Sequence, residues 1–380
     1  MSRVYIARCS SYDQKTVEAA LHASLEPFAT EMASIKPGQT IVLKPNLLKA
    51  RSPEGAVTTH PAVVAAVARW VKQLGATPII ADSPGGQFSA STLRRLYRVT
   101  GMMAVAEETG AVLNYDTESV MLHCPDSRLT KRLDAVRVMA EADAIISLPK
   151  LKTHGLTLFT GATKNLFGTV PGITKAAYHT KMPTVDRFSE MLIDVLSHYR
   201  PVLTIMDAVV GMEGDGPSSG EPRRIGLLLT SPDGVALDVV ATTVVRIPPL
   251  GVPPIAAAWR RELTTGRVED IEVLGTSVES VMLDSFRQPS TGIGRMRRGP
   301  GFLRNRFNRL VLASPAAGPS CTGCGVCMEN CPVQAITIVN RRAHMDLAEC
   351  IRCYCCHELC PVDAVELHQP PLGRLVDRLG

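Results

Sequence analysis

At 380 residues the chain exceeds one minimal domain and suggests two or three. Hydrophobic residues make up 45% and charged residues 20%, with no low-complexity tract, which excludes a largely disordered chain. The formal charge of +5 is too mild to identify a partner, and the six arginines between Arg295 and Arg309 alone exceed it.

The start, MSRVYIARCSSYDQK, places Asp13 and Lys15 where a secretory signal would continue its apolar stretch. No window offers the roughly twenty uncharged residues that span a bilayer. The expectation is a cytoplasmic protein without a membrane span. Nine of the eleven cysteines fall in the last sixty residues, with only Cys9 and Cys124 elsewhere. Metal–sulfur ligation explains that spacing better than a disulfide framework.

In chain order, VYIARC (4–9) reads as a strand followed by a helical pattern near 15–28. TIVLKPNLL (40–48) is a second strand, and Pro61 opens an amphipathic helix closed by Gly75. TPIIADSPGG supplies a third strand and a Gly-rich turn. Further strands are expected near 111–116, 144–149 and 202–206, and IGLLLTSP and IEVLG continue the mixed pattern beyond 225. Such alternation predicts an α/β domain, with a mostly parallel sheet and helices on both faces, over residues 1–290. An Arg/Gly/Pro-rich linker is expected over 291–318, and a small α+β ferredoxin-like domain over 319–369.

Polar residues recur where those strands end: Lys44 and Asn46, then Asp82, then Lys150, Lys152 and His154, then Asp207. Each alone reads as an ordinary loop; together they predict one cleft at the carboxyl edge of the sheet. The loop GMEGDGPSSGEPRR adds Glu213 and Asp215, which could bind a divalent cation, orient a polar substrate, cap helices, or answer Arg223 and Arg224.

The C-terminal cysteines form two runs. Cys321, Cys324, Cys327 and Cys331-Pro332 repeat as Cys350, Cys353, Cys356 and Cys360-Pro361. This doubled spacing resembles the two-cluster bacterial ferredoxin family. The resemblance implies two [4Fe–4S] clusters, with the fourth cysteine of each run ligating the other cube. One cube then takes Cys321, Cys324, Cys327 and Cys360, and the other takes Cys350, Cys353, Cys356 and Cys331. Cys355 is supernumerary: a buried small side chain beside a cluster, an alternative ligand or a redox-active thiol.

The segment PKLKTHGLTLFTGATKNLFGTVPG (149–172), with LKPNLL, TTHP, ADSPGG and GMEGDGP, resembles a prokaryotic family defined by domain of unknown function 362. Members often carry a C-terminal pair of ferredoxin motifs. A more distant similarity, around the TTHP helix start, is to the nickel-pincer lactate racemase fold. The residues of the long segment carry their own message. Lys150, Lys152, His154 and Lys164 lie close to Asn165, and no acid interrupts 144–185. Such a patch suits a carboxylate or phosphate oxyanion, and His154 can exchange a proton near neutral pH. A basic surface loop is the plainer alternative. His179 belongs to the same group of candidates.

Neither G-x-G-x-x-G nor a Walker loop is present, which disfavours dinucleotide and P-loop readings. A flavin needs no fixed short motif, but nothing in the sequence supports one. Only Phe302 and Phe307 interleave with the arginines, so nucleic-acid binding is disfavoured. The leading expectation is an iron–sulfur oxidoreductase. Lys150, Lys152, His154 and Lys164 would act on a small anionic or carbonyl-bearing substrate, with Lys44, Asn46, Asp82, Asn165, Asp207, Glu213 and Asp215 binding it. An external protein would donate or accept electrons. The alternatives are an electron carrier that docks a partner, and a non-redox enzyme with structural clusters.

Overall fold

Residue alternation along the strands builds the large domain. The computed structural model describes residues 1–292 and 310–373. In β1 (Arg3–Arg8), Val4 and Ile6 enter one apolar core while Ala7 and the following Cys9 enter another. The long strand β10 (Leu203–Glu213) repeats the division: Leu203 and Ile205 join the core of Ala7 and Cys9, Met206 and Ala208 that of Val4 and Ile6. The helices Gln14–Leu25 and Pro61–Gln73 cover one face, and Gly234–Val244 covers the other. Pro61 begins its helix as expected, with His60 Nδ1 accepting from the Ala62 amide.

The remaining strands of this sheet are β2 (Thr40–Pro45), β3 (Thr77–Ile80), β4 (Val112–Leu113), β7 (Ala144–Leu148), β8 (Lys150–His154), β9 (Leu158–Thr160), β11 (Glu221–Ser231) and β12 (Glu272–Gly275). The order is β12-β1-β11-β10-β7-β2-β3-β4, with β8 pairing β10 and β9. β11 runs antiparallel to both neighbours and β9 antiparallel to β8; every other pairing is parallel. β10, β7, β2 and β3 are successive neighbours, so their carboxyl ends open onto one edge.

Three features differ from the sequence reading. A separate hairpin, β5 (Ser119–His123) with β6 (Arg132–Val136), escaped it. Its first strand is exposed to half-buried throughout, and the run Val120-Met121-Leu122 does not alternate. PKLKTH, read as a loop, is strand β8, turned back on β9. GMEGDGPSSGEPRR is the tip of a hairpin, because β10 and β11 stay paired out to Glu213 and Glu221.

The small unit contains β13 (Ser314–Ala317), β14 (Ile336–Val339), β15 (Arg342–Met345) and β16 (Val365–His368). β13 pairs β16 and β14 pairs β15, so its ordered structure begins inside the range expected as linker. The Arg295–Arg309 stretch lies outside the described residues. The core of the small unit contains Cys327, Cys356 and Cys360 beside Ile336, Ala343, Ala364 and Val365. So small an apolar core depends on its metal for stability.

Candidate functional site

The carboxyl edges of β2 and β3, with β8 and β9, wall a cleft of about 80 Å³. At ~10–15 Å³ for each water-sized group, it accommodates roughly five to eight such groups. Lys44, Asn46, Asp82, Lys152, His154, Lys164, Asn165 and His179 all line it. The cleft expected from strand ends therefore exists, and β8 delivers two of its principal side chains.

A hydrogen-bond frame stiffens one wall. Lys44 Nζ donates to Asp82 Oδ1 at 2.7 Å, and the Leu47 amide donates to Asp82 Oδ2 at 2.7 Å. Asn165 Nδ2 donates to the Lys44 carbonyl at 3.1 Å and to Ser147 Oγ at 3.0 Å. A Cβ on Gly168 would lie 2.1 Å from Asp82 Oδ1 and 2.5 Å from Lys44 Nζ, so only glycine lets this loop approach. Asp238 accepts from the amides of Ala162 and Thr163 at 2.6 and 2.9 Å, which fixes the turn carrying Lys164 and Asn165. Burial lifts that carboxyl to about 6 against the pull of those amides.

The cations differ in their partners. Lys152 Nζ donates to Asn46 Oδ1 at 2.9 Å and to the Val57 carbonyl at 2.7 Å, and meets no carboxylate among the described residues. Burial drives its ammonium well below the usual lysine range, and nearby Lys164 reinforces that direction. Lys164 Nζ lies over the rings of Phe167 and Phe188, 5.7 and 6.0 Å from their centroids. Lys175, unassigned by the sequence reading, also lines the cleft. It donates to the Ser83 carbonyl and to the Pro84 carbonyl, the latter at 3.3 Å. Burial brings it down to about 7, the attraction of Asp82 only partly opposing this. Its position in the acid-free stretch 144–185 was the available signal.

His154 Nδ1 accepts from the Leu156 amide at 3.0 Å, so the neutral ring carries its proton on Nε2. That nitrogen lies 3.0 Å from Glu358 Oε1, a side chain of the small unit. Burial pushes His154 down to about 4, and Lys164 adds to the effect. His179 is likewise held at about 4 by burial and stacks on Phe188 at 4.4 Å. Burial alone would raise the Glu358 carboxyl; His154, Lys164 and His179 outweigh it and keep it ionised.

Four expected site residues stand elsewhere. Lys150 does not line the cleft; its Nζ donates to Asp207 Oδ2 at 2.8 Å and to Tyr12 Oη at 2.7 Å. Asp207 also accepts from the Tyr12 hydroxyl and the His60 amide, making a fully buried ion-pair network. Glu213 accepts from the backbone and guanidinium of Arg287, each at 3.1 Å. Asp215 accepts from the Ser290 amide at 2.7 Å. These two acids secure the 287–290 segment rather than a cation.

The small unit closes the cleft. Cys355, Glu358, Leu359 and Asn330 belong to its wall. A Cβ on Gly85 would lie 2.4 Å from Leu359 Cδ2, so the Gly-rich turn after β3 makes room for the docked unit. Lys49 Nζ donates to Asp363 Oδ1 at 2.6 Å and to the Cys360 carbonyl at 3.1 Å, while Arg51 pairs with the same aspartate. Ser218 Oγ donates to the Glu358 carbonyl at 3.1 Å. Glu358 was hidden in CIRCYCCHELCP, where the cysteines dominate the pattern.

All described cysteines are free of disulfides. No three His, Cys, Asp or Glu side chains among the described residues converge as they would on a single metal ion. The cysteines instead surround two cavities. One is lined by Cys321, Cys324, Cys327 and Cys360. The other is lined by Cys331, Cys350, Cys353 and Cys356, together with Cys355. The grouping is crossed, as the ferredoxin resemblance implies. The Ala335 amide donates to Cys331 Sγ at 3.2 Å, and the Ala364 amide to Cys360 Sγ at 3.1 Å, in equivalent places. Separate four-thiol sets with amide donors at sulfur suit two [4Fe–4S] cubes.

Residues 41–243 match the model of the family described as domain of unknown function DUF362, and residues 320–364 match that of a 4Fe-4S dicluster domain. The chain belongs to the DUF362 family. This DUF362 protein binds two [4Fe–4S] clusters. It is 35% identical over 317 residues to "Thylakoid-associated protein sll1697" of Synechocystis sp. (strain ATCC 27184 / PCC 6803 / Kazusa), covering 81% of this chain and 94% of that protein. Among solved structures, it matches the lactate racemase apoprotein of Thermoanaerobacterium thermosaccharolyticum with 14% identity and a TM-score of 0.39, over 62% of this chain and 55% of that one. A Thermotoga maritima protein matches with 12% identity and a TM-score of 0.34, over 58% and 56%. At such scores neither structure carries an argument about the DUF362 protein. No helix among the described residues is long and apolar enough to cross a membrane.

Proposed function

We propose that this protein is an iron–sulfur oxidoreductase passing electrons between its two clusters and a small anionic or carbonyl-bearing molecule in the cleft. The supporting observation is Cys355, which lines both the cleft and the cavity of Cys331, Cys350, Cys353 and Cys356. The segment expected to hold that cluster thus also forms the cleft wall. In this reading one cube is held by Cys321, Cys324, Cys327 and Cys360, and the other by Cys331, Cys350, Cys353 and Cys356. Bound clusters supply or accept single electrons.

The protein's own groups do the rest. Lys152, Lys164 and Lys175 attract and orient the anionic molecule and polarise its carbonyl. His154 Nε2 and Glu358 share a proton at the cleft wall and supply it as a pair. Docking of the small unit over the sheet edge limits the access of water. Lys150 and Asp207 hold β8 in place without touching the guest. An external protein exchanges electrons with the clusters.

The test is anaerobic. Protein loaded with both clusters is reduced and mixed with small 2-oxo acids and carboxylates, and cluster reoxidation is followed by absorbance and electron paramagnetic resonance. Reoxidation by a particular compound, and its loss in Lys164→Ala, supports the reading. Clusters that stay reduced with every such compound yet are reoxidised by a redox protein would overturn it in favour of an electron carrier.

A further inference from the structure

The cleft contains polar groups that have no hydrogen-bond partner among the described residues. Thr160 Oγ1 and Ser83 Oγ are buried hydroxyls without a hydrogen bond, and both residues line the cleft at 3% exposure. An unpaired buried hydroxyl is unfavourable unless something else satisfies it. Each stands beside a lysine. Thr160 faces Lys152 directly in the β8–β9 register. Ser83 is the residue whose carbonyl accepts from Lys175. Both lysines donate to two neutral oxygens, leaving one of their three donors for a guest.

The two acids of the cleft are already engaged: Asp82 by Lys44 and the Leu47 amide, Glu358 by His154. When protonated, Lys152 and Lys175 therefore have no carboxylate partner among the described residues. They stand on different elements, the β8–β9 hairpin and the helix Gly172–Lys181, the latter against the turn after β3. Inorganic phosphate concentrates its charge on one centre and suits one such place; a molecule with an anion at each end suits both. The cavity, about 80 Å³, matches a guest of three or four carbons with two carboxylates.

We infer that the cleft is a site for a small dicarboxylate, one carboxylate held by Lys152 and Thr160 and the other by Lys175 and Ser83. The inference rests on the cleft being the substrate site and names the class of that substrate. Its binding does not depend on electron transfer.

The test is calorimetric titration of the anaerobic, cluster-loaded full chain with malonate, succinate, propionate and inorganic phosphate. Malonate or succinate is expected to bind at least about tenfold more tightly than propionate. Lys175→Met brings that ratio close to one. Thr160→Val and Ser83→Ala, which preserve or barely change volume, each weaken the dicarboxylate by roughly threefold to tenfold and keep the test informative if a lysine variant fails to fold. Equal binding of propionate, tighter binding of phosphate, or no saturable binding of either dicarboxylate overturns the inference. Dicarboxylate binding without cluster reoxidation by any carboxylate counts against the oxidoreductase reading alone. Reoxidation by a monocarboxylate with no dicarboxylate preference counts against this inference alone.

Discussion

Lys150 and Lys152 lie two residues apart on one strand, and both are fully buried. Lys150 has a carboxylate at 2.8 Å and a tyrosine hydroxyl at 2.7 Å, a closed network that the fold satisfies by itself. Lys152 meets only an amide oxygen and a carbonyl. In the first case the acid offsets the desolvation of the ammonium; in the second an incoming anion can do so. Lys150 thus has its acid within the fold, and Lys152 is the one our proposal gives to a ligand.

Disrupting the closed network should have the largest effect. Asp207→Ala strands Lys150 in the interior and is expected to cost about 3–5 kcal/mol in chemical denaturation. A loss under ~1 kcal/mol would mean that the two lysines are not different in kind. Gly168→Ala forces a Cβ towards the Lys44–Asp82 pair and should cost about 1–3 kcal/mol.

The open region should respond to pH. Lys175 is cationic below about 7 and neutral above it, with Asp82 favouring its charge and Lys44 and Lys164 opposing it. Dicarboxylate affinity should therefore fall as pH rises, by roughly tenfold between pH 6 and 8 if this proton is required. A flat calorimetric profile in the parent protein, or an unchanged slope in Lys175→Met, would remove Lys175 from binding.

Lys152→Met sharpens the contrast further, because it strands no acid. The variant loses two neutral hydrogen bonds but removes a desolvated charge, so its stability should stay within about 1 kcal/mol of the parent. Dicarboxylate selectivity should nevertheless drop. The smallest effect belongs to Cys355→Ser, which should retain both clusters and about eight irons per chain by iron analysis. Loss of one cluster would make Cys355 a ligand and break the crossed assignment.

Much of the architecture was legible. Short apolar runs between helical patterns marked β1, β2, β3, β7 and the start of β10, and strand ends pointed to the cleft that Lys44, Asn46, Asp82, Lys152, His154, Lys164 and Asn165 line. Asp207, Glu213 and Asp215 were drawn to the site by the same rule, yet they serve Lys150, Arg287 and Ser290. Acid type and strand-end position do not reveal which cation or amide lies opposite. Lys175 and Glu358 were missed for the reverse reason, since helix and domain packing bring them to the cleft from outside its strand ends.

The sequence by itself determined the electron-handling unit. Its four-cysteine run recurs with an offset of 29 residues, from Cys321 to Cys350, and ligand spacing is a local property of the chain. Only the tertiary structure decided that CIRCYCCHELCP also walls the cleft, with Glu358 against His154 and Cys355 between two cavities. It likewise decided which lysines have acids. Coulomb and hydrogen-bond partners are chosen through space, and two neighbouring lysines that look alike in sequence become unlike only once the sheet is assembled.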